Sequence, residues 1–112
     1  MILVTGATGF AGSHLLDRLP RDTPLTAWAR PRGRAPQPRP GVEWQAVDLL
    51  DRRAVARAIA ALTPTIVYHL AGAPHVGSSF GNPAQPLAIN AVATHYLLDA
   101  LETHAPAARI VV

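Results

Sequence analysis

The chain has 112 residues, 49% of them hydrophobic and 15% charged, and its formal net charge of +3 is carried by arginine alone because lysine is absent. That balance excludes disorder and fits one packed domain. Cysteine is also absent, which removes disulfides, thiolate catalysis and cysteine-ligated metals.

The first strand is read at residues 2–5 and runs into Gly6-Ala7-Thr8-Gly9-Phe10-Ala11-Gly12. Helical periodicity follows over 11–19, closed by Pro20. A second strand is expected at 25–29. Residues 30–41 hold four prolines and two glycines and read as an exposed loop. A third strand at 42–47 leads to Asp48. Asp51 is placed as the N-cap of a helix to residue 62, with Val55, Ala58, Ile59 and Leu62 at spacings of three and four. A fourth strand is expected at 65–70, a Gly/Pro/Ser/Asn-rich loop at 71–83, and a long helix at 84–104 carrying Leu87, Ala91, Thr94, Leu98 and Leu101 along one face. A fifth strand at 109–112 ends the sequence, where an apolar edge would be left bare.

Strands alternating with helices imply right-handed βαβ units, hence an α/β fold of the doubly wound, Rossmann type. The expected strand order is 3-2-1-4-5, with ligand at the carboxyl ends where the order reverses. No apolar run approaches the ~20 residues of a membrane span. The N-terminus has no basic, apolar leader, so a cytoplasmic protein is expected.

The glycine turn carries the first chemistry. A strand that turns into a helix leaves free amides at the positive end of the helix dipole, where a diphosphate is favoured. By position, Gly6 makes the turn, Gly9 lets a diphosphate approach and Gly12 lets the helix pack, with Thr8 inside the same turn. The alternative is a purely steric turn. Binding of a dinucleotide is the reading that the surrounding strand and helix support.

Other candidates converge on the same crevice. Asp48 can accept from an adenine amino group while the Leu49 amide donates to the ring; the alternative is a turn-capping aspartate. Leu70, Ala71 and Gly72 leave the fourth strand with small residues that admit a cofactor, or form an ordinary strand exit. Ala29 stands where a carboxylate would select the ribose 2′-hydroxyl of NAD, and Arg30 and Arg32 follow. Guanidinium groups suit a 2′-phosphate, so NADP is favoured over NAD; a solvated arginine loop is the plain alternative. The cluster lacks the aromatic interleaving of a nucleic-acid surface. The five histidines show no metal spacing. His69 reads as a core histidine, whereas His75, with Ser78 and Ser79, lies in the loop facing the cofactor and is a substrate-contact candidate. Asn90 is polar within an apolar helix and either serves the site or faces solvent.

In order, Thr5-Gly6-x-x-Gly9-x-x-Gly12, Asp48-Leu49, His69-Leu70-Ala71-Gly72 and Asn90-x-x-x-Thr94-x-x-Leu97-Leu98-x-Ala100 resemble the extended short-chain dehydrogenase/reductases, the NAD(P)-dependent epimerase/dehydratase group. The stretch from His75 to Pro83 looks most like sugar-nucleotide 4,6-dehydratases and GDP-4-keto-6-deoxymannose reductases. The resemblance covers the whole chain. It implies that Gly6, Gly9 and Gly12, with backbone at Phe10 and Ala11, hold the pyrophosphate. Asp48 and Leu49 would hold adenine, and Leu70, Ala71 and Gly72 would line the nicotinamide side. Asn90 would help organise a water near an active-site lysine. It also implies hydride exchange with a sugar carbon, with a tyrosine of lowered pKa as acid/base.

The family's Ser/Thr and Tyr-x-x-x-Lys follow the fifth strand, and this sequence ends at Val112. Its tyrosines are Tyr68 and Tyr96, position 100 is Ala, and there is no lysine to complete a pair. The expectation is a cofactor-binding half that binds dinucleotide without turnover, the nucleotide sugar being the substrate of the complete protein. A stand-alone NADP-binding sensor or interaction module is the alternative. Self-association through helix 84–104 and the fifth strand, as a homodimer, is expected.

Overall fold

The computed structural model describes residues 1–72 and 84–112, with residues 84–86 described by their backbone alone. Its elements are β1 (Ile2–Thr5), α1 (Phe10–Arg18), β2 (Leu25–Ala29), β3 (Val42–Ala46), α2 (Arg52–Leu62), β4 (Ile66–His69), α3 (Ala84–His104) and β5 (Arg109–Val111). The strands form one parallel sheet in the order β3-β2-β1-β4-β5. The expected fold class and order are therefore those observed.

Strand alternation divides the core between the two faces of the sheet. Ile2, Val4, Leu25 and Ala27 pack with Leu16 of α1. Leu3, Trp28 and Val67 pack on the other face with Val55 and Ile59 of α2 and Leu97 and Leu101 of α3. Leu16 and Ile59 are each fully buried, and burial of such a side chain stabilises by about 2 kcal/mol. The buried indole of Trp28 donates to the Gln45 Oε1 at 3.1 Å, which satisfies its one polar atom.

Element ends differ slightly from expectation. Helix α1 starts at Phe10, because Gly9 is its N-cap, and ends at Arg18 with Leu19 as the cap. The strands expected at 42–47, 65–70 and 109–112 are each trimmed, although the Val47 amide still donates to the Ala29 carbonyl at 2.9 Å. Asp51 caps α2 as expected, its carboxylate accepting from the Ala54 amide at 3.1 Å.

The expected face of α3 needs correction. Leu101 is buried and Thr94 half-buried, but Leu87, Ala91 and Leu98 are exposed, Leu87 to 72%. The inward row is Ala93, Leu97, Ala100 and Leu101. This helix is apolar on nearly every side, so several stripes satisfy a three-four spacing. Two alanines on the inward row let it approach closely, and a hydrogen bond at Thr94 sets its rotation.

Candidate functional site

The site grows from the end of β1. Gly6 has φ +66, and a Cβ there would stand 2.5 Å from the Ala71 nitrogen and 2.6 Å from the Leu70 carbonyl carbon. No side chain fits, and the left-handed backbone favours glycine independently. A Cβ at Gly12 would overlap the Gly6 carbonyl oxygen, so this residue lets α1 pack on the turn that launches it. Gly9 differs: its Cβ would meet only the Gly6 oxygen, at 3.3 Å, a contact that a small shift relieves. Packing does not demand glycine at position 9, and the room a side chain would fill lies at the mouth of α1.

The amides of Phe10, Ala11 and Gly12 precede the first intrahelical bond, from the Ser13 amide to the Gly9 carbonyl at 2.9 Å, and no side chain among the described residues caps them. They form the positive end of a helix dipole at the carboxyl edge of the sheet. Phe10 is 81% exposed and its ring lies 4.4 Å from that of His14, whose Nδ1–H donates to the Phe10 carbonyl at 2.8 Å.

Opposite the turn, β4 leaves the sheet through Leu70, Ala71 and Gly72. The Thr5 hydroxyl oxygen accepts from the Ala71 amide at 3.2 Å and is 2.7 Å from Nδ1 of His69. Nε2 of His69 is 3.0 Å from the Thr94 hydroxyl. Thr5 is fully buried, so its proton needs an acceptor, and Nδ1 is the one in reach among the described residues. That assigns the neutral Nε2–H tautomer, with Nε2 donating to Thr94. Burial holds the imidazole below its ordinary value of 6.5. His69 is thus a core histidine, as read from the sequence, with both nitrogens partnered. Asn90 does not face open solvent: it is half-buried, and a Cβ at Gly72 would lie 3.4 Å from its Oδ1.

The remaining candidates are arranged more loosely. Asp48 is exposed, and its Oδ1 accepts from the Leu50 amide at 2.9 Å, so the turn-forming role is realised. Leu49 is half-buried against the α2–α3 core. Arg30 and Arg32 are exposed, the former in a turn closed by the Gly33 amide on its carbonyl at 3.1 Å. His75, Ser78 and Ser79 lie outside the described residues.

Two features have no counterpart in the sequence reading. Arg34 reaches the Thr8 carbonyl at 3.5 Å, and Arg39 pins the 30–41 loop to α1 through Asp17 at 2.6 Å and the Ser13 hydroxyl at 2.9 Å. Between loop and helix lies a cavity of about 210 Å³, lined by Thr8, Gly9, Phe10, Arg34 and Trp44 among others. The buried Nε1 of Trp44 is without a partner among the described residues. The signal for this wall is faint: Trp44 alternates with polar Glu43 and Gln45, as a half-buried edge strand does.

A doubly wound parallel sheet, with a glycine turn and uncapped helix amides at the point where strand order reverses, defines a Rossmann-type domain. Residues 2–112 match the model of the NAD dependent epimerase/dehydratase family, and the chain belongs to that family. It is 31% identical to a dTDP-glucose 4,6-dehydratase of Neisseria meningitidis, with 92% of this chain and 32% of that protein covered. Among solved structures it resembles a UDP-glucose 4-epimerase of Thermus thermophilus in complex with NAD (31% identity, TM-score 0.76, 92% of this chain and 34% of that one). A UDP-glucose 4-epimerase of Thermotoga maritima with UDP-glucose aligns at TM-score 0.79 and 26% identity, with 92% and 34% covered. The chain therefore spans about a third of the length of these relatives.

Proposed function

We propose that this chain is the dinucleotide-binding portion of a sugar-nucleotide epimerase, dehydratase or reductase, and that by itself it binds cofactor without turnover. The observation that carries the reading is Gly9: a glycine that the protein's own packing does not require, placed before the uncapped amides of Phe10, Ala11 and Gly12. Those amides fit a diphosphate. Gly6 and Gly12 hold the turn, Thr8 lines it, Asp48 and Leu49 border the adenine end, and Leu70, Ala71, Gly72 and Asn90 border the nicotinamide end. When bound, the nicotinamide supplies hydride exchange with a sugar carbon. His75, Ser78 and Ser79 are the proposed contacts to the nucleotide sugar. Turnover by the chain alone is not expected, because the tyrosine–lysine pair that the resemblance implies cannot be formed without a lysine.

NADP is the proposed cofactor. Strand β2 ends in Ala29 without a carboxylate, and Arg30, Arg32 and Arg34 follow. NAD is the second reading, favoured by the likeness to an NAD-bound epimerase. Calorimetric titration separates them: NADP is expected to bind about tenfold more tightly than NAD, and Arg30→Ala to remove most of that preference. An unchanged preference in the variant would retire the 2′-phosphate argument.

A second copy of the chain is the proposed partner. Leu87, Val92 and Leu98 stand exposed on α3, and Val111 on β5. Sedimentation that rises with concentration is the expected result, and a concentration-independent monomer would rule it out.

A further inference from the structure

The polar cluster of Thr5, His69 and Thr94 has no role in holding a phosphate, yet it lies directly under the cofactor crevice. We propose that His69 is a positioning residue for the nicotinamide half of the dinucleotide site, acting through its two hydrogen bonds to fix the Ala71–Gly72 backbone against Asn90.

The imidazole, 4% exposed, bridges three elements through side-chain hydrogen bonds: the end of β1, the end of β4 and the middle of α3. Each bridge is directional. The Thr5 hydroxyl gives its proton to Nδ1, which turns its oxygen lone pairs towards the Ala71 amide and holds that peptide at 3.2 Å. On the other side, Nε2–H donates to Thr94 and so sets the rotation of α3. Asn90 lies one turn before Thr94 on the same helix face, so anchoring Thr94 also places Asn90. The result is a close approach of Asn90 to Gly72, where a Cβ would stand 3.4 Å from the Asn90 Oδ1.

An apolar residue at 69 would extend the run Ile66-Val67-Tyr68 and pack without desolvating an imidazole. A buried polar network is costly unless every member is satisfied, and in return it fixes one geometry where apolar contacts tolerate several. Here the Thr5 hydroxyl, the Ala71 amide and both imidazole nitrogens are matched, and the geometry so fixed is that of the strand exit. Burial also keeps the ring neutral, as the Nε2–H tautomer requires.

The inference rests on the dinucleotide reading above, and the experiment separates the two. Thr94→Val removes the acceptor of Nε2–H at constant shape, and Thr94→Ser keeps it. Each protein is titrated calorimetrically with NADP and with 2′,5′-ADP, a probe that lacks the nicotinamide half. Thr94→Val is expected to bind NADP about tenfold more weakly while holding 2′,5′-ADP as the wild type does, and Thr94→Ser to recover to within about twofold. Nitrogen NMR of the wild type should show Nδ1 unprotonated and Nε2 protonated. Equal binding of NADP by Thr94→Val and wild type would overturn the inference alone, as would parallel loss of both ligands or the Nδ1–H tautomer. A wild type that bound neither ligand would overturn the dinucleotide reading and this inference with it.

Discussion

Where β1 meets β4, backbone lies against backbone: a Cβ at Gly6 would collide with the Ala71 peptide, and the buried Thr5 and His69 are hydrogen-bonded to each other and on to the half-buried Thr94. Where β2 meets β3, the strand ends lead instead into exposed arginines, a proline-rich loop held by Arg39, and a cavity beside Trp44. The first margin has one geometry available to it. The second has side chains that rearrange at little cost. A cradle for a group common to every dinucleotide belongs on the rigid margin, and discrimination between closely related dinucleotides belongs on the adaptable one.

The contrast is open to direct test by substitution. Gly6→Ala forces an L side chain into a left-handed backbone and into the Ala71 peptide, and should cost about 3 kcal/mol or more in urea denaturation. Arg39→Ala, on the other margin, removes an ion pair whose aspartate is largely exposed, and should cost far less than Gly6→Ala. Equal losses would erase the distinction between the margins. A smaller effect should appear with pH. His69 is held below 6.5 when folded, so as pH falls through that value the unfolded chain takes up a proton that the folded chain refuses. Stability should therefore decline as pH falls below about 6.5, and His69→Gln should flatten that decline. Asp17, held below 3.8 chiefly by its hydrogen bond to Arg39, acts in the same direction but only at more acid pH.

Much of the rigid margin is legible in the sequence. Element order follows from periodicity and from proline and glycine punctuation, and the turn at Gly6 and the close packing at Gly12 follow from their spacing after a strand. What stays hidden depends on contacts between distant residues. Thr5 and His69 are 64 positions apart, and nothing local to either announces the bond between them. The rotation of α3 is ambiguous in the sequence because an apolar helix offers several equivalent stripes, and core packing of Leu97, Ala100 and Leu101 together with the bond from His69 to Thr94 selects among them. The left-handed cap of α2 at Thr63, φ 43, is likewise invisible, since a β-branched residue is a poor marker for that conformation. On the adaptable margin, Arg30 and Arg32 stand out by their position after β2. Yet Arg34 and Arg39 are the arginines of this loop that reach the glycine turn and α1, because a segment with four prolines folds back where a regular helix would have run on.

The most direct test is a comparison of Gly9→Ala with the wild type by calorimetric titration with NADP, alongside urea denaturation of each. Alanine at position 9 meets only the Gly6 oxygen, so the variant should keep its stability to within about 1 kcal/mol. It should also lose NADP binding, because the methyl group occupies the approach to the Phe10, Ala11 and Gly12 amides. A folded variant that bound NADP as tightly as the wild type would show that the diphosphate lies elsewhere.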